Sequence, residues 1–163
     1  MRLLRFMENN QSQKSLNIYL AGPVFTQAER IWNRRLAEGL RAKGYQVILP
    51  QDEAARFITP QGVDAKAIAE LCYKQALDSD VMVAVLDGAD SDSGASMELG
   101  FKIHDKRING TGKIIGVRTD FRAAEDGQLN LMFRLLDEVI YLPSFNEDMN
   151  LLVLKIDETI RKS

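Results

Sequence analysis

The sequence has little of what metal-dependent and nucleophilic enzymes most often use. Among 163 residues only Cys72 is a cysteine and only His104 a histidine. A single cysteine cannot close an internal disulfide or build a thiolate metal site. One histidine leaves little material for a His-based metal cage or a Ser-His-Asp triad. An excess of charge is missing too: 21 Lys and Arg stand against 23 Asp and Glu, a formal net charge of −2. Without a basic field to hold a phosphate backbone, a dedicated DNA or RNA binder is not expected. No apolar run approaches the roughly 18 residues of a membrane span. Residues Met1 to Ser15 are charged and polar, with no long apolar segment of the kind that marks a secretory signal. The expectation is a flexible N-terminal extension over 1–15, a single domain over 16–163, and a cytoplasmic protein. The chemical tools that remain are carboxylates, hydroxyls and amides.

What is present is an ordinary globular balance, 45% apolar and 27% charged, laid out as alternating strands and helices. Leu16 to Leu20 reads as a strand running into Ala21-Gly22-Pro23, the opening of an α/β unit. Thr26 and Glu29 are spaced as a capping box for a helix whose apolar positions are Ile31, Trp32, Leu36 and Leu40, stopped by Gly44. Tyr45 to Leu49 is a second strand closed by Pro50, and Gln51 to Asp64 a polar, irregular loop. A helix over Ala65 to Leu77 places Ile68, Leu71, Cys72 and Ala76 on one face. Val81 to Leu86 is an unbroken apolar run, as in a parallel strand buried on both faces.

The loop Asp87 to Gly94 leads to a helix from Ala95 through His104, and Asn109 to Gly112 turns the chain. Lys113 to Val117 forms a strand, Arg118 to Gln128 a polar loop, Leu129 to Leu136 a short helix and Val139 to Leu142 a last strand. Asn146 can cap a final helix striped by Met149, Leu152, Val153, Ile156 and Ile160. The alternation specifies a flavodoxin-like α/β sandwich of three layers with a central parallel sheet.

In such sheets ligands bind beyond the carboxyl ends of the strands. The loop after the buried strand holds Asp87, Asp90 and Asp92, with Glu98 a few residues on, among the small residues Gly94, Ala95, Ser96 and Gly100. Like charges at short range repel, so the cluster points to binding or catalysis rather than stability. Asp90 and Asp92 taken singly read as solvated loop residues or as Mg²⁺ ligands. Glu98 reads either as a reactive carboxylate within reach of a helix N-terminus, which favours its ionised form, or as a first-turn capping glutamate.

The segments IYLAGPVF, LDGADSDSGASMELGF and NLM, in that order, resemble the nucleoside 2-deoxyribosyltransferases, a group that includes the deoxynucleoside-monophosphate N-glycosidases. The resemblance runs from about Asn17 to Leu142. It implies that Glu98 is the nucleophile attacking C1′ of deoxyribose, as the carboxylate of a retaining glycosidase does, and that Tyr19 orients it. It further implies that Asp92 receives the sugar 5′-hydroxyl, and that Asn130 and Met132 reach into the site of a neighbouring subunit. Gly22 and Phe25 would line the base and sugar pocket, with Arg118, Asp120, Phe121 and Arg122 in a loop nearby. The implied substrates are free nucleosides and nucleobases, with no metal or organic cofactor, and the implied assembly is a homodimer or dimer-based oligomer with shared sites. Transfer of deoxyribose between bases is the reaction expected. A nucleoside or nucleotide N-glycosidase and a non-catalytic nucleotide-binding domain are its rivals. One departure stands out: where many members carry an acid beside the departing base, this sequence has Cys72.

Overall fold

The computed structural model describes residues 15–122, 129–143 and 148–162. Five parallel strands form one sheet in the order β2-β1-β5-β6-β7. They are β1 (Asn17–Ala21), β2 (Gln46–Ile48), β5 (Val81–Val85), β6 (Lys113–Arg118) and β7 (Glu138–Tyr141). The remaining two, β3 (Ile58–Thr59) and β4 (Gly62–Val63), make a small antiparallel hairpin. Helix α1 (Gln27–Ala42) packs beside α5 (Met149–Arg161), and α3 (Ala65–Asp78) beside α4 (Ser93–Asn109). This is the expected three-layer sandwich.

Side-chain alternation along the strands divides the core in two. Ile18, Leu20, Val81, Val83, Val85, Ile115 and Val117 face Leu36, Ala37 and Leu40 of α1 and Leu152, Val153 and Ile156 of α5. Tyr19, Ala21, Met82, Ala84 and Ile114 face Ala76 of α3 and Ala95 and Leu99 of α4. All five residues of β5 are buried, which explains its unbroken apolar run. From β1 the chain passes to β2 on one side and later returns to β5 on the other. The junction of β1 and β5 is therefore the switch point of the sheet, where a crevice opens beyond the strand ends.

Helix α1 begins on the expected capping box: Thr26 Oγ1 accepts from the Glu29 amide at 3.2 Å, and Glu29 Oε2 from the Thr26 amide at 2.7 Å. The chain leaves it through Gly44 at φ +96°, a conformation that favours glycine. Several readings need correction. Ile31 lies on the exposed side of α1, and the inward position is taken by Asn33 instead. Residues 51–64 are not an irregular loop. Pro50, preorganised for a first helical position, starts the short helix α2 (Pro50–Ala54). A 3₁₀ turn over Ala55–Phe57 and the β3–β4 hairpin follow. Helix α4 starts at Ser93, two residues before the expected Ala95, because Asp92 caps it. The element expected over Leu129 to Leu136 is a 3₁₀ helix at Leu131–Leu135. The last helix is capped by Asp148, whose carboxylate accepts from the Asn150 and Leu151 amides; Asn146 lies outside the described residues, as does most of the loop expected over 118–128.

Candidate active site

Tyr19 lies in the middle of β1, paired with Ile48 on one side and Met82 on the other, and its ring is fully buried beneath α3 and α4. Its hydroxyl donates to Glu98 Oε1 at 2.7 Å, a bond joining residues 79 apart in sequence. Glu98 does not cap the helix: it sits six residues beyond Asp92, outside the first turn, so the reading of a first-turn glutamate fails. For the same reason the helix N-terminus is not what governs its charge, since that influence fades within a turn. Burial instead pushes the Glu98 carboxyl above its usual range, the Tyr19 bond opposes this, and the negative charge of Asp92 adds to it. The hydroxyl of Tyr19 is driven far above its ordinary range, first by burial and then by the Glu98 charge, so it remains a donor.

Cys72 completes this group. From α3 its half-buried thiol is near enough for the Glu98 charge to act on it. Burial is the main cause that raises its titration point, and Glu98 adds to it. The lone cysteine is therefore a protonated thiol beside the candidate nucleophile. Periodicity placed Cys72 on the inner face of α3 but could not say that this face meets Tyr19.

Two acids of the β5–α4 loop, Asp87 and Asp92, have backbone partners that give them structural roles. Asp87 Oδ1 accepts from the Thr119 amide at 2.6 Å and the Asp120 amide at 3.0 Å, tying this loop to the one after β6. Asp120 in turn accepts from the Gly88 amide and from the Arg122 guanidinium, which is the main reason its carboxyl lies well below the usual range. Buried Arg118 donates to the carbonyls of Leu86 and Gly88 from below. Asp92 Oδ1 caps α4 by accepting from the Ala95 amide at 2.8 Å. A carboxylate has roughly four acceptor positions, so the cap leaves Asp92 able to receive another donor.

The β1–α1 loop is held by residues that the sequence reading missed. Buried Asn33 donates to the Pro23 carbonyl at 2.8 Å, Arg30 donates to the Val24 and Phe25 carbonyls, and Gln51 donates to the Arg30 carbonyl. The signal available in sequence was an asparagine at a helix position shared with Leu36, Ala37 and Leu40. Gly22 permits the close run of this loop over β5, since a Cβ there would stand 3.0 Å from that of Val85. Phe25 projects from the loop with 76% of its surface exposed, where its apolar character alone would suggest core.

Asn130 and Met132 do not join Tyr19 and Glu98 within one chain. Asn130 caps the 3₁₀ helix, its side chain accepting from the Met132 amide at 3.0 Å. Both residues line a cavity of roughly 770 Å³ whose α4 wall is Ser96, Gly100, Ile103, His104 and Arg107. At 3.6 residues per turn these positions lie roughly 120–180° round the helix from Glu98, so this cavity and the Tyr19–Glu98 pair occupy opposite flanks of α4. Among the described residues no three His, Cys, Asp or Glu side chains gather as a metal site would require. No helix among them is long and apolar enough to cross a membrane.

Comparison with known proteins agrees with this fold. The chain is similar in structure to a conserved protein from Enterococcus faecalis V583, at 27% identity over 89% of this chain and 99% of that one, with a TM-score of 0.69. A 2-deoxyribosyltransferase from Bacillus psychrosaccharolyticus superimposes with a TM-score of 0.61 at 19% identity, covering 84% of this chain and 90% of its own. A CMP N-glycosidase from Clostridium botulinum does so at 0.58 and 19%, covering 88% and 98%. No curated protein matches the chain in sequence. The model of one family, nucleoside 2-deoxyribosyltransferase, matches residues 18–152. With that match spanning the sheet from β1 to β7 and including Tyr19, Cys72, Asp92 and Glu98, the chain belongs to the nucleoside 2-deoxyribosyltransferase family.

Proposed function

We propose that this protein transfers 2-deoxyribose between nucleobases, with Glu98 as the nucleophile. The observation that carries the reading is the part-buried Tyr19–Glu98 bond, which ties α4 to β1 beside β5. The half-buried carboxylate is partly withdrawn from bulk water, and its one side-chain donor among the described residues fixes its direction. In the first step a Glu98 oxygen bonds to C1′ as the N-glycosidic bond breaks, and the bonding pair leaves with the base, which takes a proton. In the second, an incoming base attacks C1′ from the opposite face, loses its proton and releases the carboxylate. Two inversions restore the starting configuration.

Asp92 supports free nucleosides as substrates, because its unused acceptor positions suit a 5′-hydroxyl and its charge would repel a 5′-phosphate. Phe25 and Gly22 would shape the base side. Asn130 and Met132 would serve the site of a second copy. Met97 and Ile108 on α4 and Leu131 and Met132 on the 3₁₀ helix are exposed apolar residues that a second copy would cover.

Incubation with deoxyinosine and free adenine, with all bases and nucleosides followed by chromatography, tests the reading. Deoxyadenosine formation is expected, and Glu98→Ala should abolish it. Hypoxanthine release without deoxyadenosine identifies a hydrolase. Tight binding without turnover identifies a binding domain.

A further inference from the structure

We infer that Arg30 and Asn33 are positioning residues, which lock the backbone on either side of Phe25 and so hold its exposed ring as a fixed stacking platform for the nucleobase. The inference rests on the reading that the crevice beyond β1 takes a nucleoside, and it adds the groups that set the base side. Three successive carbonyls of the β1–α1 loop accept from side chains of α1. Asn33 Nδ2 donates to the Pro23 carbonyl, and Arg30 Nη1 to those of Val24 and Phe25, each at 2.8 Å. The next amide, that of Thr26, donates to Glu29 Oε2 in the capping box. Each peptide link from Pro23 to Thr26 is thereby tied to α1. The clamp is braced in turn by α2: Gln51 Nε2 donates to the Arg30 carbonyl at 2.9 Å, and Gln51 Oε1 accepts from Asn33 Nδ2 at 3.4 Å.

Starting the helix does not require this much. Thr26 and Glu29 already cap it, and Asn33 occupies a buried position on the face that carries Leu36, Ala37 and Leu40. An apolar residue would fill that position without the cost of burying an amide. What the added bonds hold is a loop whose aromatic side chain points into solvent, beyond the end of β1 and just after the turn that crosses β5 at Gly22. A ring on a mobile loop loses loop freedom as well as side-chain freedom when a ligand seats on it. With the backbone already fixed, only the rotamer of Phe25 remains to be ordered. Phenylalanine has no polar group with which to read a base edge, but every base has a π-face. The platform therefore serves the departing and the incoming base alike.

The test has one readout that is independent of the reaction. In ligand-free protein, backbone ¹⁵N order parameters at Val24 and Phe25 should be near 0.85 in wild type and below about 0.6 in Arg30→Met, with β1 and α5 unchanged. In the exchange assay Arg30→Met should raise KM for deoxyinosine and for adenine roughly five- to tenfold with kcat within about twofold, as loss of uniform binding does. Phe25→Ala should raise both roughly tenfold or more, the effect of a lost stacking partner. Adding Arg30→Met to Phe25→Ala should cost less than about a further twofold, because the clamp acts through the ring. The acid limb of kcat/KM should stay in place, since burial, Tyr19 and Asp92 are what act on the Glu98 carboxyl. Asn33→Ala should act in the same direction, and half-buried Arg30 supplies the variant that leaves the core untouched. Unchanged order parameters in Arg30→Met, or losses that multiply in the double variant, would overturn the inference. Absence of exchange by wild-type protein would count against the reaction instead, and the Kd of deoxyinosine by calorimetry then replaces KM in the same comparison.

Discussion

Replacing Tyr19 by Phe removes one oxygen from a fully buried ring and tests the arrangement at its centre. The lost bond runs from a neutral hydroxyl to a carboxylate at 2.7 Å, with no other side-chain donor to Glu98 among the described residues. Hydrogen bonds to charged groups contribute about 1.5–3 kcal/mol. At roughly 1.4 kcal/mol per pH unit, the Glu98 titration should move up by about one to two units. Its midpoint is already raised by burial and by Asp92, so the further rise shifts protonation toward neutral pH. A protonated carboxyl cannot attack C1′. The acid limb of the kcat/KM profile should therefore rise by the same one to two units, with about a tenfold loss per unit at any pH below the new midpoint. The profile is measured by base exchange between deoxyinosine and adenine, with circular dichroism confirming an unchanged fold. An acid limb that stays where it is in wild type would refute the claim that the Tyr19 bond keeps Glu98 ionised.

Further outcomes follow from the same structure. Glu98→Gln should abolish exchange yet raise Tm at pH 7. Between the ordinary carboxyl value and the raised folded one, the native state holds a proton that the unfolded chain has shed, so stability falls as pH rises through that window. A neutral amide avoids this cost. A gain of about 1 kcal/mol, or roughly 2–4 °C by calorimetry, should vanish near pH 4. Gly116→Ala in β6 should cost about 1–3 kcal/mol in urea unfolding, because its Cβ would lie 2.8 Å from Leu86 Cδ1 and 2.9 Å from Leu136 Cδ1. If sites are shared between copies, mixing Glu98→Ala with Asn130→Ala protein should recover exchange that neither shows alone; no recovery after subunit exchange would refute the sharing.

Much of the architecture could be read from the sequence because each strand and helix carries its own period. The buried run of β5, the capping box of α1 and the stripe of α5 are local signals, and the structure realises all three. What failed depended on side-chain partners distant in sequence or on competition between two roles. Asp87 looked like one more member of an acidic cluster because sequence does not show Thr119 and Asp120 coming over to bind it. Asp92 looked like loop because its capping bond, rather than apolar spacing, decides where α4 starts. Residues 51–64 lack apolar periodicity since the elements there are too short to display one. The Tyr19–Glu98 pair came from resemblance alone: nothing in either segment's pattern reveals that a strand residue and a helix residue 79 positions later will meet.

That separation has a kinetic consequence. The pair can form only after β1 has docked beside β5, a parallel pairing that leaves more than fifty residues of intervening chain to be looped out first. In any species lacking that pairing, Glu98 is an ordinary solvated glutamate on a helix, with an ordinary titration. During refolding the perturbed carboxyl should therefore emerge with the slow, topology-limited phase, after the helical signal has largely returned. The residue proposed to perform the chemistry thus also serves as a clock for the closing of the sheet.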